Sequence, residues 1–358
     1  MINPIRSARQ RIPAAVLGAT GAVGQRFVQL LDNHPWFQVV ALTGSDRAVG
    51  QKYVDACHWL LSTPMPEWAR EITVSPTLPE ALDAPLAFSA LPSKAAQDAE
   101  PLYAQSGAVV CSNASAFRTA ADVPLVLPEV NPEHTAMIAQ QRQKRGWKGA
   151  IVTNANCTIT GLTIVMKALL DSFGCRQAFA VSMQAVSGAG YPGVASMDIL
   201  GNVVPYIGDE EEKMEWEPRK ILGTVKDGAV ELSSLAISAH ANRVAVSDGH
   251  MVCLSIELER PGSLAEVGQV LRGYKPPEIV RDLPSTPAAV IQVMDEPDRP
   301  QPRLDIMAGR GMTTVVGRLR PDALLDYKMV ILSHNTIRGA AGGSIYNAEL
   351  LVAQGHIS

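Results

Sequence analysis

The 358-residue chain has no apolar run approaching the roughly 20 residues that a membrane-spanning helix needs, which argues against an integral membrane protein. It has no C-x-x-C pair either. Its five cysteines, Cys57, Cys111, Cys157, Cys175 and Cys253, are odd in number and widely spaced, so neither a disulfide framework nor a zinc knuckle is suggested, no metal is expected, and one of them is free to be a nucleophile. Positive charge is not in excess: the formal charge is -4, the pI is near 6.0, and Lys and Arg are scattered. Nucleic acid is therefore not an expected partner. Internal repeats and low-complexity tracts are missing as well. The first ten residues, with Arg6 and Arg9 and no apolar core behind them, do not make a signal peptide, and a cytoplasmic protein is expected.

What the chain does have is enough apolar material, 47% of its residues, for a large buried core, and enough length for two domains. From Ile12 to about Thr153, short apolar runs (Ala14 to Leu17, Gln38 to Leu42, Pro85 to Phe88, Ala108 to Cys111, Leu125 to Leu127, Ala150 to Val152) alternate with helix-like or loop-like stretches. That rhythm predicts a doubly wound α/β domain with a parallel sheet. After Thr153 come a helix-like segment, Thr158 to Ser172, and longer strand candidates at Gln177 to Val186, Ser234 to Ser238, Met251 to Glu257 and Met329 to Ser333. These fit a second α+β domain with a mixed or antiparallel sheet. The acidic run Asp209-Glu210-Glu211-Glu212-Lys213 reads, alone, as a solvated helix face. Thr336 to Gln354 looks helical after a Gly-rich stretch.

Directly after the first strand, Gly18-Ala19-Thr20-Gly21-Ala22-Val23-Gly24 opens an amphipathic helix striped by Val23, Phe27, Leu30 and Leu31. Glycines in such a turn let the backbone approach a pyrophosphate and pack the helix on the sheet, while the helix start offers unpaired N–H groups to the anion. This predicts a Rossmann-type dinucleotide site. At the end of the second strand, Thr43-Gly44-Ser45-Asp46-Arg47 does not put an acidic residue first. Ser45 and Arg47 suit a 2'-phosphate and favour NADP over NAD, with Asp46 as the residue that speaks against it.

The segment Ile151-Val152-Thr153-Asn154-Ala155-Asn156-Cys157-Thr158 places a cysteine where a strand ends and a helix begins. There the helix dipole is expected to lower the thiol pKa from about 8.5 toward or below neutrality. The plain alternative is a small buried core residue. The other four cysteines, in or beside apolar stretches, read as structural.

T-N-A-N-C-T-x-T-G-L at this point closely resembles the active-site segment of aspartate-semialdehyde dehydrogenases, particularly of the archaeal and fungal branch. The resemblance extends in order through Gly18 to Phe27, Ser45 to Tyr53, Ser112 to Arg118, Pro128 to His134, Met183 to Tyr191, Gly208 to Lys213, Asn242 to His250 and His334 to Gly343, essentially the whole chain. It implies NADPH-dependent reduction of aspartyl phosphate to aspartate semialdehyde with release of phosphate, a step of lysine, threonine and methionine biosynthesis. It implies Cys157 as the thioester-forming nucleophile, His250 as general acid and base, and Gln184 and Asn156 as partners of the substrate carbonyl. Arg243 would grip the α-carboxylate, Glu210 the ammonium, and Lys213 and Arg118 the phosphate; whether Glu210, Glu211 or Glu212 meets the ammonium rests only on the i, i+3 spacing to Lys213. Asn335 would contact the nicotinamide amide, and Ser187, Gly188 and Gly190 would lie against the cofactor.

The implied architecture is an NADP-binding domain over 1–153, completed by a C-terminal helix within 336–358, and a catalytic and dimerisation domain over 154–335, assembled as a homodimer or homotetramer. Two rivals share features with this reading. An acyl-CoA reductase such as malonyl-CoA reductase, or N-acetyl-glutamyl-phosphate reductase, shares fold and thioester logic, but the first would not need an ammonium partner. A non-catalytic NADP-sensing protein shares the glycine turn but has no use for the cysteine, histidine and anion-binding set.

Overall fold

The computed structural model describes residues 11–357, so the reading of Arg6 and Arg9 falls outside the described residues. Strands β1 (Ile12–Leu17), β2 (Phe37–Leu42), β3 (Leu86–Ser89), β4 (Val109–Ser112), β5 (Leu125–Val126) and β6 (Ala150–Asn154) form one parallel sheet in the order β2-β1-β3-β4-β6-β5. β3, β4 and β6 are buried at every residue, as a parallel sheet covered on both faces requires, which is why they read in sequence as short unbroken apolar runs. β1 has β2 on one side and β3 on the other. Strand order reverses there, and the carboxyl ends of β1 and β3 border the crevice where ligands of such sheets bind.

The second sheet is mixed, as expected. It contains β7 (Cys175–Gln184), β10 (Ala236–Arg243), β11 (His250–Leu258), β12 (Ile291–Val293), β13 (Thr314–Pro321) and β14 (Tyr327–Ser333), in the order β10-β7-β11-β14-β13-β12; a hairpin, β8 (Thr224–Lys226) and β9 (Ala229–Glu231), stands apart. β10 runs parallel to β7 and β12 to β13, and the remaining pairs are antiparallel. β12 and β13 have no counterpart among the sequence candidates. β12 is only three residues long, and the β13 pairing shifts register between Gly317 and Arg320, with Arg318 at φ 59.

The helix Cys157–Phe173 joins the two sheets, buried almost continuously from Thr158 to Leu169. One apolar core collects Phe27, Phe37, Leu42, Tyr53, Leu86 and Phe88 from the first sheet and its helices with Ile337, Ile345, Tyr346, Leu350 and Leu351 from the end of the chain. A second gathers Ile159, Leu162, Val165 and Leu169 with Leu254, Ile256, Met329 and Ile331. Each such side chain removed from water contributes roughly 1.5–3 kcal/mol. The tail is a kinked helical turn, Ile337–Ala341, continued by the helix Gly342–Ala353, all of it buried except Val352 and Ala353. Cys57, Cys111 and Cys175 are buried, but Cys253 is exposed, because alternation along β11 turns it to the open face of the sheet. Among the described residues no helix is long and apolar enough to cross a membrane.

Candidate active site

Two strand–turn–helix units define the site. In the first, β1 runs through Gly18, at φ 72, into the helix Ala22–Leu30, whose N-cap is Gly21 with no side-chain cap. The carbonyls of Ala19 and Thr20 are tied back by the Tyr53 hydroxyl (2.8 Å) and the Gln25 amide (3.0 Å). The first intrahelical bond runs from the Gln25 N–H to the Gly21 carbonyl, so the N–H groups of Ala22, Val23 and Gly24 precede the ladder and point outward. Gly24 is required sterically: a Cβ there would stand 2.2 Å from the Gly18 carbonyl oxygen and 2.6 Å from the Ala19 Cα. At the end of β2, Ser45, Asp46 and Arg47 are exposed side by side. This geometry suits a dinucleotide pyrophosphate.

In the second unit, β6 leads through Asn154-Ala155-Asn156 into the helix that Cys157 begins. Asn156 is the N-cap: its Oδ1 accepts the Thr158 N–H at 2.8 Å, while its Nδ2 donates to both oxygens of Glu210 at 2.8 and 3.1 Å. Gln184 Nε2 donates to the same carboxylate at 3.0 Å, and Lys213 Nζ lies 3.5 Å from it. Of the three consecutive glutamates only Glu210 enters this cluster. Glu211 accepts the Ala241 N–H and Glu212 is exposed. The solvated face expected of this run is thus only half of it: Glu210 and Glu217, two turns apart, are buried.

The mixed sheet supplies the rest from neighbouring strand ends. Gln184 closes β7, Arg243 closes β10 directly beside it, and His250 opens the adjoining β11. Arg243 Nη1 donates to the Ala185 carbonyl (2.8 Å), and the Ala185 N–H donates to His250 Nδ1 (3.1 Å), leaving Nε2 buried without a partner among the described residues. Gly188 keeps this corner open: a Cβ would lie 2.8 Å from Arg243 Nη1 and 2.9 Å from His250 Nε2. Asn335 donates to Ser187 Oγ (2.8 Å) and accepts the Gly249 N–H (2.9 Å), and Gly190 turns the loop at φ 72. The kinked turn Ile337–Ala341 packs against both the helix Ala22–Leu30 and the helix of Cys157. A Cβ on Gly339 would meet the Cys157 Cα at 2.7 Å.

Electrostatics overturn one expectation. Burial pushes the Cys157 thiol up to about 12, the Glu210 carboxylate pushes the same way, and Arg118 and Arg243 pull it back only in part. The lowering expected from the helix start does not prevail: although Cys157 as a residue is only half-buried, lost hydration around its sulfur and the Glu210 carboxylate outweigh the two arginines. His250 is held down to about 3, by burial first and then by the charges of Arg243 and His334, so its ring is neutral near pH 7.

Arg118, on the loop after β4, donates from Nη1 to Glu217 (3.0 Å) and from Nη2 to the Asn113 carbonyl (2.8 Å). It shares a cavity of about 200 Å³ with Lys213, Ser115, Thr119 and Trp216. The sequence did not single out Glu217, Gly339 or Asn154, whose Nδ2 donates to Asn113 Oδ1 (3.2 Å) and to the Ala340 carbonyl of the kinked turn (3.2 Å). For Glu217 a signal existed: Glu210, Met214, Glu217 and Ile221 fall on one face of a helix, and Met214 and Ile221 mark that face as the buried one. Among the described residues no group of three or more His, Cys, Asp or Glu side chains could hold a metal ion.

Two family models match the chain in succession: "Semialdehyde dehydrogenase, NAD binding domain" over residues 13–138 and "Semialdehyde dehydrogenase, dimerisation domain" over residues 166–338. The aspartate-semialdehyde dehydrogenase of Archaeoglobus fulgidus is 49% identical over 344 residues, covering 96% of this chain and 99% of the relative. That of Saccharomyces cerevisiae is 44% identical, covering 95% and 98%. The crystal structure of the Candida albicans aspartate-semialdehyde dehydrogenase with NADP superposes with a TM-score of 0.89 at 43% identity, covering 97% of this chain and all of that one.

Proposed function

The chain belongs to the aspartate-semialdehyde dehydrogenase family, and from that premise we propose how its residues carry the NADPH-dependent reductive dephosphorylation of L-aspartyl 4-phosphate to L-aspartate 4-semialdehyde. The observation that carries the reading is the cluster around Cys157: one carboxylate, Glu210, held by Asn156, Gln184 and Lys213, with arginine charges on two sides. Amino acid and phosphate need those opposite charges at the two ends of the substrate.

Arg243 pairs with the α-carboxylate, Glu210 with the α-ammonium, and Arg118 and Lys213 with the phosphate, so binding fixes the acyl carbon beside Cys157. Incoming ammonium competes for Glu210 and frees the amides of Asn156 and Gln184 to donate to the acyl oxygen. Cys157 sulfur then attacks the acyl carbon, the C–O bond to phosphate breaks, and a thioester remains. The thiol proton leaves as the C–S bond forms and is taken up at His250 Nε2. Uptake there needs the Nε2 lone pair, so the ring first carries its proton on Nδ1 and gives up the bond from the Ala185 N–H. Uptake makes the imidazolium, which in the next step gives its Nε2 proton to oxygen or to the departing thiolate and returns the ring to its neutral form.

NADPH, bound along Gly18, Thr20, Gly21, Ala22, Val23 and Gly24, with Ser45 and Arg47 at the 2'-phosphate and Ser187, Gly188, Gly190 and Asn335 at the nicotinamide, supplies the hydride that reduces the thioester. The domains are assigned as 1–153 with 336–358 and 154–335, a division supported by the larger part of two apolar cores, although the first also takes in Val280, Leu283 and Met312 and the second Leu125, Leu127 and Val130. A homodimer or homotetramer through the second domain is supported by Phe179 and His240, an exposed aromatic pair on the open face of its sheet. Five unpaired cysteines suit the cytoplasm.

The test is phosphate-dependent NADPH formation from aspartate semialdehyde. Wild type turns over, and Cys157→Ala loses about 10³-fold or more in kcat while NADP affinity stays near normal. Absent wild-type turnover, or most of the activity surviving in the variant, would overturn the proposal.

A further inference from the structure

Glu217 is a fully buried acidic side chain at the site, and the mechanism above does not use it. Its two oxygens have different partners. Oε1 accepts from Arg118 Nη1 at 3.0 Å, and Oε2 accepts the backbone N–H of Asn156 at 2.8 Å. One carboxylate therefore spans the guanidinium assigned to phosphate and the peptide that precedes the nucleophile. Three residues on, at the same helix face, Lys220 Nζ donates to the carbonyls of Arg118 (2.6 Å), Ala120 (2.9 Å) and Val123 (3.0 Å), fixing the loop that carries Arg118 to the same helix. Arg118 keeps Nε buried without a partner among the described residues, and Glu217 lines the same cavity as Arg118 and Lys213.

We infer that Glu217 is a positioning residue that fixes the phosphate-binding arginine and the Asn156–Cys157 turn relative to each other, so that phosphate is held at one defined place from the nucleophile. The inference rests on the assignment of Arg118 to phosphate. A carboxylate is needed for both tasks because both partners are donors. A glutamine of the same volume offers one acceptor and turns an NH2 toward the other donor, so one of the two contacts is lost and replaced by a clash of N–H groups. Glu217 also offsets the Arg118 charge. Removing it strengthens the field that favours the Cys157 thiolate, so the variant has a more reactive thiol and a less productive one.

The experiment compares wild type, Glu217→Gln and Glu217→Asp as full-length protein, in the aldehyde-oxidising direction with inorganic phosphate varied, and follows iodoacetamide alkylation of Cys157 against pH without substrate. Glu217→Gln is expected to raise the KM for phosphate and lower kcat by about tenfold each, while the KM for NADP stays within about twofold. Its alkylation midpoint moves to lower pH. Glu217→Asp retains charge and recovers part of kcat, and it serves alone if the glutamine variant does not fold. Equal losses in the KM values for phosphate and NADP, or an unmoved alkylation profile with unchanged phosphate KM, would overturn the inference. Alkylation does not depend on turnover, so an inactive wild type with a shifted Glu217→Gln profile would count against the proposed reaction and not against this residue.

Discussion

The two strand–turn–helix units of the site are alike in backbone and opposite in use. After β1 the helix start is uncapped, lined with glycine, and its N–H groups are left outward. After β6 the helix start is capped by Asn156, whose amide and backbone are both taken by buried carboxylates. The same helix dipole is offered to an anion in the first and consumed within the protein in the second. The Cys157 thiol beside the capped start is held up by burial and by the Glu210 carboxylate.

The contrast can be broken from either side. Gly24→Ala should have the largest effect, because the 2.2 Å approach to Gly18 forces the first turn apart. NADP affinity, measured by fluorescence titration, is expected to fall about tenfold or more, with stability down by roughly 1–3 kcal/mol. Glu210→Gln sharpens the other side. It removes one of the influences holding the Cys157 thiol up, so the alkylation midpoint moves down in pH. The sign for stability follows: a thiol raised in the fold costs nothing below its unfolded value, and wild-type stability falls as pH rises from there toward about 12, a fall that in the variant ends at lower pH and is smaller in total. An unchanged midpoint would mean burial alone sets this thiol. Asn156→Ala is the smallest, about 1 kcal/mol of lost capping seen as a lower denaturation midpoint. It also leaves Glu210 short of a partner, so a stabilised variant would contradict the capping account.

The fold was largely legible because its signals are local. All six parallel strands read as apolar runs, and the glycine turn stood where β1 ends. β12 and β13 were not legible, since three residues and a strand broken at Gly317 carry too little periodicity. In the site, residue types could be read but not their partners. The position of Cys157 was visible, whereas the burial and the Glu210 charge that reverse its pKa come from residues more than fifty positions away. Glu217 was hidden by the acidic run beside it, which invited a solvated reading for the whole helix.

The kinked turn Ile337–Ala341 sits between the glycine-turn helix and Cys157, with Gly339 against the nucleophile's own backbone. During synthesis this turn leaves the ribosome some 180 residues after Cys157 and more than 300 after the glycine turn, so both wait, built but unsealed, for almost the whole chain. A polypeptide stopped short of residue 337 would carry every proposed catalytic side chain and still lack the wedge that holds the two halves of the site in place.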